Sequence, residues 1–365
     1  MMLESALKFL EEIHDSGYDA YIVGGFVRDY LLQIDSHDID IATNATPKQM
    51  KEMFRDSVLS SEEYGSVIIV RSGVRFEVTT FREEINYIDN RRPSEIKYID
   101  NLYSDLLRRD FTVNTICMNY KGEIIDLLNA REDLALKLIK TVGDPYIKLE
   151  EDSLRILRAI RFATILDFQL DGELIQAIKK NKHLLRNLSF QRKKEELDKI
   201  FSSSNRFKGI MLLRDLELDT DLELPNLKLI ENTDSLIGIW SILNVTDKYP
   251  FTNNEKELIN NINEAVGINN LDPMNLYTYG LYVNTIAGEI KGIDKKKIAK
   301  AYSRLAIKCR KDICITGDDI MEALHKESGN YLKAIYDDIE YSILYHKIQN
   351  TRESILKYIL SKYSS

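Results

Sequence analysis

Gly24-Gly25 is followed at once by Phe26-Val27-Arg28-Asp29, and Asp38-Ile39-Asp40 comes within the same 17 residues. A glycine pair between strand and helix lets the backbone approach a ligand with no Cβ in the way. The helix starting there offers free N–H groups and a positive dipole end, both suited to phosphate. Arg28, in its first turn, adds a charged fork for phosphate oxygens. Asp38 and Asp40 lie two apart on an expected strand and so share a face. Carboxylates about 7 Å apart or less repel unless a cation bridges them, and oxygen ligands suit Mg²⁺. The alternative is that one of them faces solvent at a strand end. Phosphate turn, arginine and carboxylate pair, in that order, are what nucleotidyl transfer requires. One metal ion activates the attacking hydroxyl and another steadies the leaving pyrophosphate.

Three further groups could join this chemistry. Glu77 alternates with Phe76 and Val78 on an expected hairpin strand, as a third carboxylate or as a solvent-facing glutamate. Arg108-Arg109-Asp110-Phe111-Thr112-Val113-Asn114 pairs arginines suited to a triphosphate, or to surface ion pairs, ahead of a strand-like run ending at Met118. In Glu151-Asp152-Ser153-Leu154-Arg155-Ile156-Leu157-Arg158-Ala159-Ile160-Arg161-Phe162 the arginines recur every third residue. Each step turns about 60° around a helix, so the three line one broad face. Like charges at that spacing repel, and an anionic ligand would resolve it. Asp152 can accept from an exocyclic amine while Arg155 donates to the neighbouring ring nitrogen. Cytosine and adenine share that edge; guanine and uracil present the reverse. Asp152 could instead only cap the helix that begins near Ser153.

Positioning these groups takes two kinds of architecture. Leu3, Ala6, Leu7, Leu10 and Ile13 give residues 1–15 a helical apolar stripe. A strand over Tyr18–Val23, a helix over Phe26–Leu32 and a strand over Asp38–Ala42 are expected next. Thr46-Pro47 then starts a helix, and Ser66–Val70 and Val74–Phe81 form a hairpin. From about Asp144 the period is 3.6 and no strand is expected. Residues 172–214 hold eleven basic against four acidic residues, and Lys291–Lys311 holds nine against Asp294 alone. These runs are either a polyanion-binding surface or solvated helix faces. The domain reading is an α/β head over 1–142, a helical neck over 143–214 and a helical body and tail over 215–365.

Composition narrows the class. The chain of 365 residues carries a net charge of −8 and 44% hydrophobic residues, which excludes a disordered or polycationic protein. Cys117, Cys309 and Cys314 form no CxxC pair, so neither a disulfide framework nor a zinc cluster is expected, and a cytoplasmic location is. The N-terminus has no basic n-region, and no stretch of about 18 apolar residues exists, so neither a signal peptide nor a membrane span is expected.

Taken together, GGFVRD (24–29), DID (38–40), RRDFTVN (108–114) and EDSLRILRAIRF (151–162) resemble the class II tRNA nucleotidyltransferase and poly(A) polymerase family, in its order and spacing. The motifs cover about residues 20–165, and RKDICITGDDI (310–320) resembles the start of that family's tail. The resemblance implies a nucleotidyltransferase-fold head with a mixed sheet and helices, followed by an all-α neck, body and tail. Asp38 and Asp40 would be catalytic and bind Mg²⁺. Gly25, Arg28 and Arg109 would contact the nucleotide, Asp152 and Arg155 would read its base, and Arg158 and Arg161 match further nucleotide-contacting arginines. The partners implied are tRNA, CTP and ATP, with the enzyme a monomer or homodimer.

The expected activity is addition of CCA to the tRNA 3′ end, most like a bacterial CCA-adding enzyme. A-only addition, poly(A) synthesis and a non-catalytic RNA-binding relative are the alternatives. Arg82–Arg109, including Arg91-Arg92-Pro93, looks like the family's full-length flexible loop, against CC-only addition. The chain ends without the strongly basic extension common in bacterial poly(A) polymerases.

Overall fold

Alternation of apolar and polar residues at Val74–Thr80 and Ser66–Arg71 makes these segments strands with one buried face, and they seed the sheet that carries the site. The computed structural model describes residues 2–36, 38–55, 58–59, 65–71, 73–88, 92–230 and 233–364. It divides into two compact units, 1–224 and 225–365.

The first unit is built on strands β1 (Ala20–Val23), β2 (Asp40–Thr43), β3 (Val58–Leu59), β4 (Ser66–Arg71), β5 (Val74–Thr80), β8 (Cys117–Met118) and β9 (Ile124–Ile125). Their order is β3-β4-β5-β2-β1-β8-β9; β2 and β5 run parallel and the other neighbours antiparallel. Helix α1 (Met2–Asp15) buries its expected stripe on this sheet, where Phe9 stacks on Phe76 at 5.0 Å and meets Phe54 edge-on at 5.1 Å. Burying one such aromatic contributes roughly 1.5–3 kcal/mol. Helices α2 (Gly25–Leu31) and α3 (Pro47–Met53) follow β1 and β2. Thr46 caps α3 in a reciprocal capping box with Gln49.

Three sequence expectations shift here. β2 begins at Asp40, where its pairing to Val23 and Glu77 begins, so Asp38 precedes the strand. Within Arg82–Arg109, expected as the family's flexible loop, the described residues form secondary structure: β6 (Arg82–Ile88) and β7 (Arg92–Tyr98) pair antiparallel, and α4 (Leu102–Leu107) follows. Arg91 lies outside the described residues, as does His37. The strand-like run expected up to Met118 opens instead as a 3₁₀ turn at Thr112–Asn114 and is strand only at its end, Cys117–Met118. Thr115 Oγ1 donates to the Thr112 carbonyl at 2.7 Å, a local bond that competes with a ladder.

Helix α5 (Ala130–Ala135) and strand β10 (Leu138–Ile139) lead into α6 (Pro145–Glu151) and α7 (Leu154–Ile165). A two-residue strand, β11 (Gln169–Leu170), pairs parallel with β10, where only helix was expected. Helices α8 (Gly172–Asn181), α9 (Phe190–Phe201), α10 (Arg206–Asp215) and α11 (Asp219–Leu222) complete the unit. α10 packs closely because position 209 is glycine: a Cβ there would stand 2.4 Å from Ile200 Cγ2 and 2.6 Å from Thr164 Oγ1. Gly209→Ala is therefore expected to cost roughly 1–3 kcal/mol by overpacking and to lower the melting temperature measured by circular dichroism.

The second unit is helical: α12 (Leu236–Leu243), α13 (Asn253–Val266), α14 (Pro273–Ile290), α15 (Lys295–Ser303), α16 (Gly317–Leu324), α17 (Tyr331–Leu344) and α18 (Arg352–Tyr363). Trp240 is buried against Tyr249 and Phe251. Among the described residues, no helix is long and apolar enough to cross a membrane.

Candidate active site

The glycine pair sits where β1 turns into α2. Gly24 takes φ 72° and ψ −131°, a conformation that only glycine adopts without strain. It lies under Arg109: a Cβ on Gly24 would be 3.6 Å from Arg109 Nη1, and one on Gly25 would be 3.6 Å from Arg28 Nη2. The turn thus lies directly beside two guanidinium groups, at one wall of a cavity of about 700 Å³.

Asp40 stands opposite, at the first residue of β2, and Glu77 is its register partner on β5. Both line the cavity. Both readings left open for Glu77 keep support: it is exposed to solvent and also stands beside Asp40 at the cavity, with Phe76 and Val78 buried on the other face. Asp38 is exposed just before the strand. Asp40 is itself exposed at the cavity; partial desolvation by the surrounding walls pushes its carboxyl above the ordinary carboxylate range, Glu77 and Asp38 push it further, and Arg109 partly opposes them. Its ionised form is therefore short of positive charge. Among the described residues no three His, Cys, Asp or Glu side chains form a ready-made metal cage. Asp40, with Asp38 two residues before it and outside the cavity lining, offers oxygen donors of the kind Mg²⁺ takes together with phosphate and water.

The arginines are already engaged. Arg28 is buried; its Nη1 donates to Asn114 Oδ1 at 2.6 Å and its Nε to Asp29 at 2.8 Å. Arg109 donates to Asp105 at 3.1 Å, and Arg108 pairs with the same fully buried carboxylate. Arg155 is buried, with Nη1 donating to the Lys148 carbonyl and to Glu151, both at 2.8 Å, and Nη2 to the Arg108 carbonyl at 3.1 Å. Arg158 donates through Nε to Asp110 at 2.8 Å, and Arg161 pairs with Glu196 at 3.1 Å. The repulsion expected along α7 is thus relieved by the protein's own carboxylates. Phe162 lies beneath Arg28, Arg158 and Arg161, 4.4–5.6 Å from ring centre to guanidinium carbon.

Asp110 and Asn114 join the two halves of the pocket. Asp110 accepts from Arg158 and from Asn114 Nδ2, and Asn114 accepts from Arg28. Burial pushes Asp110 up, but Arg158 and these hydrogen bonds hold it below the ordinary range. Both lie in the Arg108–Asn114 motif, but the sequence assigns a role only to its arginines, and Asp105 falls outside the motif. Asp105 carried a visible signal, its spacing of three and four residues to Arg108 and Arg109.

Asp152 also lines the cavity, between α6 and α7. Its Oδ1 accepts from the Leu154 N–H at 3.1 Å, so the capping alternative holds at this atom. Burial raises its carboxyl above the ordinary range, against the pull of Arg155.

A family model for the poly(A) polymerase head domain matches residues 20–140, and one for tRNA nucleotidyltransferase domain 2 matches 241–359. Over 385 residues the chain is 34% identical to the CCA-adding enzyme of Bacillus pumilus, covering 97% of this chain and 96% of that one. The chain belongs to the CCA-adding enzyme family of tRNA nucleotidyltransferases. The CCA-adding enzyme of Ligilactobacillus salivarius is 33% identical, over 97% of this chain and 95% of that one. Among solved structures, the Bacillus stearothermophilus CCA-adding enzyme in complex with CTP superposes with a TM-score of 0.85 at 27% identity, over 98% and 96% of the two chains. The Thermotoga maritima CCA-adding enzyme complexed with tRNA_CCA shares the fold, with a TM-score of 0.72 over 98% of this chain and 94% of that one, at 20% identity. The α/β head followed by helical segments is accordingly the fold of CCA-adding enzymes.

Proposed function

We propose that this chain adds CCA to the 3′ end of tRNA from CTP and ATP, releasing pyrophosphate, by nucleotidyl transfer without a nucleic-acid template. The observation that carries this reading is a single cavity joining Asp40, the Gly24-Gly25 turn with Arg28 and Arg109, and the Asp152–Arg155 segment. Relatives named CCA-adding enzymes over nearly the full length favour it over A-only addition and poly(A) synthesis. The working division is head 1–142, neck 143–214 and body with tail 215–365.

Gly25, Arg28 and Arg109 hold the triphosphate; the missing Cβ admits it and the guanidinium groups orient it. Asp38 and Asp40 would hold Mg²⁺, with Glu77 beside them. Bound there, metal supplies Lewis-acid stabilisation of phosphate charge and acidifies the attacking hydroxyl. Asp152 accepts from the exocyclic amine, and Arg155, fixed by three acceptors, presents a donor to the ring nitrogen. Arg158 and Arg161 complete the nucleotide contacts, positioned by Asp110 and Glu196. The free thiols at Cys309 and Cys314 suit a cytoplasmic setting.

The deciding experiment supplies tRNA ending in the discriminator base, tRNA-C or tRNA-CC with Mg²⁺ and one labelled nucleotide at a time. CTP should enter twice and ATP once. Incorporation of ATP onto tRNA-CC alone would establish A-only addition, and runs of adenosine would establish poly(A) synthesis.

Binding of tRNA should fall steeply with salt, by about 0.9 in log K per log salt for each phosphate contact. Exposed lysines must carry this: Lys193, counted in the basic run 172–214 and expected from sequence to weaken tRNA binding when changed to alanine, lies 1% exposed in α9, over the Phe190 ring, and cannot meet a phosphate. Lys179→Ala with Lys180→Ala on α8, or Lys295→Ala with Lys296→Ala on α15, should each reduce the slope measured by filter binding by about 1–2, without changing which nucleotide is added.

A further inference from the structure

A second cavity of about 620 Å³ lies on the same unit, lined by Lys48, Lys51, Arg55, Glu52 and Tyr98. β2 carries Asp40 at one end, and the chain leaves its other end at Thr43 to enter α3. A strand of this length spans about 10 Å, so this cavity lies beyond the far end of the strand that bears the catalytic carboxylate.

Its chemistry is specific. Lys48, Lys51 and Arg55 are spaced by three and four residues, so they line one face of α3 and its C-terminal turn. Among the described residues that line it, Glu52 is the one acid. Tyr98, at the end of β7, is 44% exposed. One side of its ring rests on Gly65, where a Cβ would come within 2.9 Å of Tyr98 Cε1. The ring is thus backed by main chain on one side, with nearly half of the residue exposed. A basic rim beside an exposed, backed aromatic ring is how proteins hold single-stranded nucleic acid, with phosphates on the cations and a base stacked on the ring. The volume accommodates a nucleotide unit.

The geometry points to a secondary site for a single-stranded RNA segment at this cavity: Lys48, Lys51 and Arg55 take its phosphates and Tyr98 stacks one base. The reaction derived above does not use these residues, so this site stands or falls apart from the active-site reading.

The test places a reporter at the ring. Wild-type protein holds one tryptophan, Trp240, so the difference between Tyr98→Trp and wild type reports position 98. An eight-nucleotide oligo(C) ribonucleotide should quench that difference signal saturably. Adding Lys48→Glu with Arg55→Glu, circular dichroism unchanged, should raise the half-saturation concentration at least about tenfold. CTP or ATP at equal phosphate concentration should leave the signal unmoved. Quenching by CTP or ATP that weakens equally on charge reversal would make the ligand a free nucleotide and overturn the RNA assignment. Absence of quenching, or quenching indifferent to charge reversal, would leave only a solvated basic face and overturn the site.

Discussion

Asp40→Ala is expected to lower nucleotide incorporation by at least two to three orders of magnitude, the loss usual when one electrostatic stabiliser is taken from a transition state. Binding of tRNA, measured by filter retention, should stay within about twofold of wild type. A variant retaining more than about a tenth of the wild-type rate would remove Asp40 from the metal site. Stability should move the other way. Partial desolvation, Glu77 and Asp38 raise the Asp40 carboxyl above its unfolded value. Folding therefore favours the protonated form, and the folded state loses stability as pH rises from the unfolded value through the raised one. Above that window the ionised carboxylate is a liability until a cation arrives. Because Asp40 is exposed, water screens this penalty: Asp40→Asn without metal should melt only slightly higher than metal-free wild type at neutral pH, and Mg²⁺ should raise the melting point of wild type only. An unchanged melting point for Asp40→Asn would show that the carboxylate is already compensated by Arg109.

The second large effect concerns base choice. Asp152→Ala removes both a base acceptor and the acceptor for the Leu154 N–H. A lowered melting point is thus expected on either account and settles nothing alone. The ranking of nucleotides does: a donor or acceptor left unpaired costs roughly 1–3 kcal/mol, so discrimination against UTP and GTP should relax about 5- to 150-fold. Arg155→Ala should slow C and A addition alike, since both bases offer the ring acceptor. Wild-type discrimination should also weaken as pH falls, beginning above the ordinary carboxylate range. A protonated Asp152 donates where it should accept, and burial raises the pH at which that occurs. Single-nucleotide incorporation with each of the four triphosphates measures all three outcomes. Unaltered C and A preference in Asp152→Ala would reduce Asp152 to a cap.

What could be read from sequence was local. The Gly24-Gly25 turn, the Thr46-Pro47 start, the Ser66–Thr80 hairpin and the alternation of Glu77 with Phe76 and Val78 depend on spacings of a few residues, which side-chain periodicity encodes directly. What escaped depends on partners far along the chain. β2 starts at Asp40, not Asp38, because its pairing with Val23 at the end of β1 and with Glu77 within β5 begins there. The α7 arginines looked repulsive because Asp110 and Glu196, which neutralise two of them, lie 48 and 35 residues from Arg158 and Arg161. Lys193 belonged to a basic run by composition, yet α9 turns it inward, which charge counting cannot register.

The internal carboxylate partners of the arginines bear on turnover. Asp29, Asp105 and Asp110 already occupy the guanidinium groups of Arg28, Arg109 and Arg158 before any nucleotide binds. Each guanidinium has five N–H groups, so one carboxylate partner does not use up its donors. An incoming triphosphate would therefore meet arginines whose positions are set in advance, at little cost in side-chain freedom. The same acids dilute the positive charge around them, which would ease the departure of pyrophosphate, and a site that lengthens a polymer one unit at a time depends on release as much as on grip.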